Sequence, residues 1–362
     1  MYAPLTDSAA AADLMSWAFG GEPAHSATWM HRVAEVWGFT RHDDLVGVHG
    51  TYLTDIHFGR WIPVSAVAGV AVSLEGRGQG VGRAMMEAHL LDLHARSIPL
   101  AALFASTQVV YRRVGYEQAG VVIERTVPLS AVPAWPRTLR PVEVPLTSSL
   151  VDRYEAAAQR GNLRRDAELW RRATGSGIEG QKRLYLLGDR GYVLLHQQGD
   201  TVQVVDRATP DAQTLRGMWT LLRDMRSIVK HARWRSHPGD ASLLLFDEQP
   251  TRVTDEERWM LRVVDVPGAL AARSYSVDGV VEIEVDDPLV PANCGRWRLR
   301  IHDGQPTVER GGQGLLALSI NALAPLFSGL LTADDLVRGG QASGSPQAPV
   351  FAGHTPWMAH RF

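Results

Sequence analysis

The sequence predicts an α/β fold built on mixed sheets, and three observations predict it. In the first third, helical periodicity and short apolar runs follow the order helix, helix, strands, glycine loop, helix, strand, helix. One strand-like run passes straight through a glycine-rich loop into an amphipathic helix at 70–96. Strand, turn and helix then recur at 191–230, which points to a second unit of the same kind.

Taken in order, residues 8–19 read as a helix with Ser8 as cap and with Leu14, Trp17 and Ala18 on one face; Gly20 and Gly21 end it. A second helix is expected over 29–36. Residues 45–58 and 63–72 have strand-like alternation. After the loop at 76–82, a helix over 83–96 carries Met86, Leu90 and Leu93 as its apolar stripe. The apolar run 100–105 is short enough for a buried strand. Ser106 can cap a short helix over 109–114, which Gly115 stops, and Tyr116 begins the next strand.

Five prolines between 127 and 145 read as a linker. Beyond it, 166–172 is helical, 192–196 and 202–205 pair around Gly199-Asp200, and 215–230 is a helix. The turn 206–211, which stands where the first unit has its glycine loop, has no glycine. From Trp259 the texture changes. Residues 261–266, 280–285 and 296–301 are strands, 315–331 is an apolar helix divided by Pro325, and 339–349 is a flexible loop. The last residues, 356–362, hold two bulky aromatics, unlike a solvated tail.

Composition narrows the function classes. The 362 residues carry a formal net charge of -2, so no global basic field attracts nucleic acid or anionic lipid. A single cysteine, Cys294, forms no internal disulfide; it reads as a small buried apolar residue. No secretory signal and no apolar run long enough to span a bilayer is visible, so a cytoplasmic protein is expected, with no membrane or nucleic-acid partner. The 13 histidines form no tight ligand cluster such as His-Glu-x-x-His, so no metal is expected and most should lie at the surface.

The chemistry concentrates at Val70-Ala71-Val72-Ser73-Leu74-Glu75-Gly76-Arg77-Gly78-Gln79-Gly80-Val81-Gly82-Arg83. Glycines let backbone amides converge on one point. The helix that follows adds its own free amides and the positive end of its dipole. Together they form a nest for a pyrophosphate. The dinucleotide fingerprint fails on spacing, because the sixth position holds Val81 or Arg83, and no P-loop Gly-Lys-Ser/Thr triplet occurs.

Arg77-Gly78-Gln79-Gly80-Val81-Gly82 resembles the Arg/Gln-x-x-Gly-x-Gly/Ala pattern with which GNAT acetyltransferases hold acetyl-CoA. Ala101-Ala102-Leu103-Phe104-Ala105-Ser106 and Val110-Tyr111-Arg112-Arg113-Val114-Gly115-Tyr116 resemble the Eis (enhanced intracellular survival) branch of that superfamily. Its members carry Leu-Ala-Ala-Leu-Trp-Ala-Ser and then Ile-Tyr-Gly-Arg-Phe-Gly-Tyr. Later, 261–267, 269–273, Asp287-Pro288 and Asn293-Cys294-Gly295-Arg296-Trp297 resemble that family's third domain. The resemblance implies tandem GNAT-like domains over 1–127 and 128–258, the second degenerate. It further implies a domain similar to sterol carrier proteins over 259–362, and a hexamer.

The resemblance also implies roles. Acetyl-CoA would bind at Val70, Ala71, Val72, Arg77, Gly78, Gln79, Gly80, Val81, Gly82, Arg83 and Ser106. The strand before the loop splays from its neighbour in GNAT folds, so its free amides face the donor. Tyr111 would protonate the departing thiolate, with the plainer reading a core tyrosine on a short helix. The Phe362 carboxylate would assist as base, although an ordinary terminal carboxyl, with a pKa of about 3.5, is weak in that role. The activity implied is N-acetylation of a small-molecule amine.

For the acceptor, Trp17, Phe19, Glu22, Trp29, Trp37 and Arg361 are the pocket candidates, and most of the aromatics read equally well as core. Aminoglycoside-acetylating relatives place an acid just before the terminal Phe, where this chain has Arg361. Like-charge repulsion there predicts a less cationic amine, one carrying its own carboxylate. Two other functions fit the same sequence: a catalytically silent acyl-CoA sensor, and a lipid carrier built on the apolar run 315–331.

Overall fold

The computed structural model describes residues 1–5, 9–175, 177–345 and 348–362; Ser8, the expected cap of the first helix, lies outside them. The first third holds β1 (Tyr2–Pro4), α1 (Ala9–Phe19), α2 (Pro23–Met30), β2 (Glu35–Arg41), β3 (Asp44–His57) and β4 (Trp61–Val72). It continues with α3 (Val81–Ala95), β5 (Leu100–Phe104) and α4 (Gln108–Arg112). Then come β6 (Glu117–Pro128), β7 (Val142–Val144), α5 (Val151–Ala156), α6 (Ala167–Ala173), β8 (Lys182–Leu187), β9 (Gly191–Gln198), β10 (Thr201–Ala208), α7 (Ala212–Asp224) and β11 (His231–Ser236). The last part comprises β12 (Arg252–Val263), α8 (Val266–Ala272), β13 (Gly279–Asp286), β14 (Gly295–His302) and β15 (Gln305–Arg310). After these come β16 (Leu316–Ser319), α9 (Ile320–Ser328), α10 (Ala333–Arg338) and β17 (Ala342–Gly344).

Two compact units result. The first is 1–120 with 258–354 and Phe362; the second is 121–257 with 355–361. The large sheet of the first unit runs β1-β2-β3-β4-β5-β12. Its pairs are antiparallel except β4 with β5, which are parallel and need α3 as their crossover. Met86, Leu90 and Leu93 of α3 pack with Val67, Ala101 and Leu103. Another cluster joins Ala11, Ala12 and Met15 of α1 to Met30, Val48 and Ala71. This unit also carries a second sheet, β15-β14-β13-β16-β17. Leu323, Leu326 and Phe327 of α9 are fully buried.

In the second unit the order is β6-β11-β10-β9-β8-β7. Here β10, α7 and the parallel β11 repeat the connection of β4, α3 and β5, and the register of β10 shifts between Val204 and Asp206 as that of β3 shifts between Val48 and Gly50. The tandem mixed-sheet reading is therefore correct. The α7 start is fixed by a capping box between Asp211 and Thr214. An ion pair is buried nearby: Arg165 donates to both Asp206 oxygens at 2.7 and 3.0 Å, and its guanidinium lies 3.8 Å over the Tyr154 ring.

Several local expectations give way to tertiary structure. The buried face of α1 is Ala11, Ala12, Met15 and Ser16, while Trp17 points outward. The second helix starts at Pro23 and ends at Met30, because proline is favoured in a first helical turn and residues 35–41 are claimed by pairing with β1 and β3. The linker expected at 127–145 is largely structural, with Val127, Leu129 and Val132 in the second unit's core. Residues 316–319 form a strand against β13 before Ser319 caps α9, and Pro325 sits inside that helix. Residues 342–344, expected to be loop, pair with β16. No helix among the described residues is long and apolar enough to cross a membrane.

Candidate active site

The loop between β4 and α3 borders a cavity of about 320 Å³, lined by Val70, Val72, Gly76, Arg77, Gly78, Gly80, Val81, Gly82, Arg83, Val110 and Arg113. Gly78 and Gly80 take φ of +73° and +75°, a left-handed conformation that other residues adopt at a cost. Gly80 is the cap of α3, so the first-turn amides of Val81, Gly82 and Arg83 lack intrahelical acceptors. Arg77, Arg83 and Arg113 add guanidinium groups around them, with Arg83 also paired to Glu87 at 2.7 Å. This is the donor set that a pyrophosphate requires.

The strand ahead of the loop is splayed. Parallel pairing of β4 with β5 extends only from Val64–Leu100 to Val67–Leu103, so Val70, Ala71 and Val72 are past its end. On the other side a bulge interrupts the β3–β4 register between Val48 and Gly50. Nine of the eleven donor-site residues named from sequence thus line the cavity or flank it on the strand. The side chain of Gln79 turns back to the Glu75 carbonyl at 2.7 Å. Ser106 lies outside the lining and is not the α4 cap; that place falls on Thr107, whose side chain makes no capping bond. Sequence reasoning missed Val110 and Arg113. The two stand three residues apart, so they share one face of the short helix, and that spacing was the available signal.

Tyr111 sits on α4 between the lining residues Val110 and Arg113 but is not itself in the lining; it is half-buried, packed against the core, with its ring edge-on to Tyr116 at 6.0 Å. Burial pushes its phenol up to about 12. Tyr116 is fully buried, and its hydroxyl has no hydrogen-bond partner among the described residues.

The pocket candidates do not converge. Trp17 and Phe19 are exposed, as is Glu22. Trp29 donates to the Tyr52 hydroxyl at 2.8 Å, and the Tyr52 ring meets Phe362 edge-on at 6.5 Å. Phe362 also packs on Phe104 at 5.4 Å, so Trp29, Tyr52, Phe104 and Phe362 make one aromatic group. Trp37 is turned into the core, stacked on Tyr2 at 4.7 Å, because pairing with β1 places Tyr2 beside it. Arg361 pairs with Asp255 and Glu257, which neutralise the charge from which repulsion was argued.

Most histidines are exposed or half-buried, but His49 and His89 are fully buried in a network unseen in the sequence. The Tyr2 hydroxyl lies 2.9 Å from His49 Nε2 and 2.9 Å from His89 Nδ1; His89 Nε2 meets Ser65 Oγ at 3.1 Å, and Ser65 meets Thr51. Desolvation holds His49 down at about 4 and His89 well below its ordinary range. Both are therefore neutral in the folded state. The unfolded chain binds these protons near pH 6.5, so stability is full above that pH and falls as the pH drops towards 4. For His49 alone the expected loss at pH 5 is on the order of 2 kcal/mol. Thermal unfolding from pH 7.5 to 4.5 checks this: the fall in Tm should be smaller in His49→Gln, and equal curves would refute the assignment.

Among the described residues, Asp278, His302 and Asp303 bring metal-type ligand atoms within 4.8 Å of one another, all exposed. The Asp278 carboxylate there accepts the Asp303 and Gly304 amides of the hairpin turn. Cys294 is half-buried and hydrogen-bonds the backbone of Asp287, unlike the purely apolar residue expected.

Comparison with known proteins matches GNAT acetyltransferase domains at 2–119 and 161–263 and a sterol carrier protein domain at 266–359. The Eis N-acetyltransferase of Mycobacterium tuberculosis is 30% identical over 67% of this chain and 65% of its own. The chain belongs to the Eis-like family of GNAT N-acetyltransferases. An uncharacterised N-acetyltransferase of Streptomyces coelicolor is 29% identical to this Eis-like enzyme, over 84% of this chain and 82% of its own. A GCN5-related N-acetyltransferase from Anabaena variabilis superposes on the Eis-like chain with a TM-score of 0.94 at 26% identity, each chain covered fully. The Mycobacterium abscessus Eis1 structure shares the Eis-like fold, with a TM-score of 0.84 at 23% identity and full coverage of both.

Proposed function

We propose that this enzyme moves the acetyl group of acetyl-CoA to the primary amine of a small molecule, with Tyr111 as general acid. The observation that carries the reading is the splayed β4 strand running into a cavity rimmed by loop amides and arginines, whose lining residues Val110 and Arg113 flank Tyr111 in the chain. Arg77, Arg83, Arg113 and the amides of the loop hold the pyrophosphate. Amides at 70–72 bind the pantetheine and polarise the thioester carbonyl. Attack by the neutral amine forms the C–N bond, collapse breaks the C–S bond, and Tyr111 Oη gives its proton to the departing sulfur. In a chain that ends at Phe362, its carboxylate accepts the ammonium proton directly or through water.

The acceptor enters near the aromatic group of Trp29, Tyr52, Phe104 and Phe362. With Arg361 already paired to two carboxylates, the preference for a zwitterionic over a polycationic amine rests on the absence of an acid at 361 alone. The test is CoA release from acetyl-CoA across tryptamine, histamine, lysine and kanamycin. Turnover with a neutral-tailed or zwitterionic amine supports the proposal, and kanamycin as the fastest acceptor overturns its specificity. Tight acetyl-CoA binding without acetylation of any amine would favour the acyl-CoA sensor.

A further inference from the structure

The helix that carries Tyr111 is too short to hold itself. α4 has five residues, far below the roughly 12–15 at which an isolated helix becomes even marginal, and the last carbonyls of a helix have no partners within it. Its end is capped by donors from far along the chain. Asn321, in the first turn of α9, uses its side-chain amide to donate to the carbonyls of both Arg112 and Tyr116, each at 2.9 Å. Arg262 of β12 donates through Nε to the Val114 carbonyl at 3.0 Å. Three carbonyls around the turn that closes α4 therefore receive side-chain donors 148 to 209 residues away in sequence.

Both donors are themselves fixed. Arg262 is fully buried and donates to the two oxygens of Asp287 at 2.8 Å and to the Val263 carbonyl at 2.6 Å. Asp287 is held in turn by Asn293 at 2.8 Å and by the amides of Leu289 and Val290 at 3.2 Å. Asn321 is anchored by the helix start, where Ser319 accepts the Ala322 amide. Gly115 completes the fit: its φ is +93°, and a Cβ there would stand 2.6 Å from Arg262 Nε. Arg262 thus lies flat against the turn that only a glycine leaves open.

We propose that Asn321 and Arg262 are positioning residues for acetyl transfer: they clamp the turn after α4 so that Tyr111 is held at the donor site. The α9 helix of the sterol-carrier-like domain is on this account part of the catalytic apparatus. The inference rests on Tyr111 being the general acid. Misplacement of an acid by a fraction of an ångström to one ångström is costly, because the proton transfer depends on hydrogen-bond reach.

The test uses the full-length enzyme, acetyl-CoA and the fastest amine of the panel above. Asn321→Ala is expected to lower kcat about ten-fold, with a smaller change in KM for acetyl-CoA, since the glycine loop is untouched. In a Tyr111→Phe background the same substitution should change kcat by less than about two-fold, because a clamp has no effect once the proton it places is gone. Equal losses in both backgrounds overturn the positioning role in favour of a general structural one. A large effect of Tyr111→Phe with none of Asn321→Ala overturns the clamp and leaves the acid assignment standing. No effect of Tyr111→Phe sinks the acid assignment itself. Hydrogen exchange needs no acceptor: the 108–116 segment should exchange faster in Asn321→Ala, and unchanged exchange overturns the clamp. Asn321→Ser, which keeps one donor, replaces the alanine variant if that one does not fold.

Discussion

Tyr111→Phe is expected to lower kcat by about 100-fold while leaving the affinity for acetyl-CoA nearly unchanged. The substitution removes one oxygen. The ring keeps its edge contact with Tyr116 and its place against the core, so stability should change little. What is lost is the proton for the departing sulfur. A second readout follows from burial. Because the phenol is pushed up to about 12, it stays protonated through the alkaline range in which a free tyrosine near 10 would ionise. The wild-type kcat should therefore show no alkaline fall near pH 10 that is absent from Tyr111→Phe. Steady-state kinetics between pH 7 and 10.5 check both statements, and a variant with kcat within about two-fold of wild type removes Tyr111 from the mechanism.

Gly80→Asp is expected to weaken acetyl-CoA binding by about 100-fold or more. Two effects add. Gly80 has φ of +75°, so any side chain strains the backbone by about 1–2 kcal/mol or shifts the start of α3. A carboxylate there also sets a negative charge at the helix N-terminus among the amides that would receive phosphate oxygens. Among the described residues, and apart from its chain neighbours, no atom lies within 4 Å of a Cβ at this position, so a packing clash makes no contribution. Gly80→Ala separates the two effects, since it keeps the strain and omits the charge; its expected loss is about ten-fold. Calorimetric titration with acetyl-CoA measures each. Equal affinities for the aspartate variant and wild type would place the pyrophosphate elsewhere.

Much of this protein was legible in its sequence because the signals were local. The loop from Gly76 to Gly82 announced itself through residue type and spacing, and its flanking strand and helix through periodicity, with the structure placing α3 at Val81–Ala95 against the expected 83–96. The β9–β10 hairpin and α6 were equally readable, since a Gly199-Asp200 turn and an Asp166 cap act within a few residues. Residues that line the cavity were therefore readable in advance, down to Arg77 and the glycines.

Helix starts without a strong cap, and strands whose partners lie far away, were not readable in the same way. The helix expected over 29–36 stops at Met30 because residues 35–41 are claimed by β1 and β3, which pair with both their edges. Residues 127–132 look like a proline-rich linker until they fill the second unit's core. Tyr2, His49, His89, Ser65 and Thr51 carry no pattern in sequence, yet the fold hydrogen-bonds them into one buried chain. The same holds for the donors on the Tyr111 turn, Asn321 and Arg262. By itself the sequence determined the local geometry that can bind a phosphate, since amide convergence and helix polarity are properties of one short segment. Only the tertiary structure decided which charges are neutralised, which histidines stay unprotonated and which side chains bond the turn that follows Tyr111. Each of these depends on the distance and dielectric between groups that the chain separates by tens to hundreds of residues.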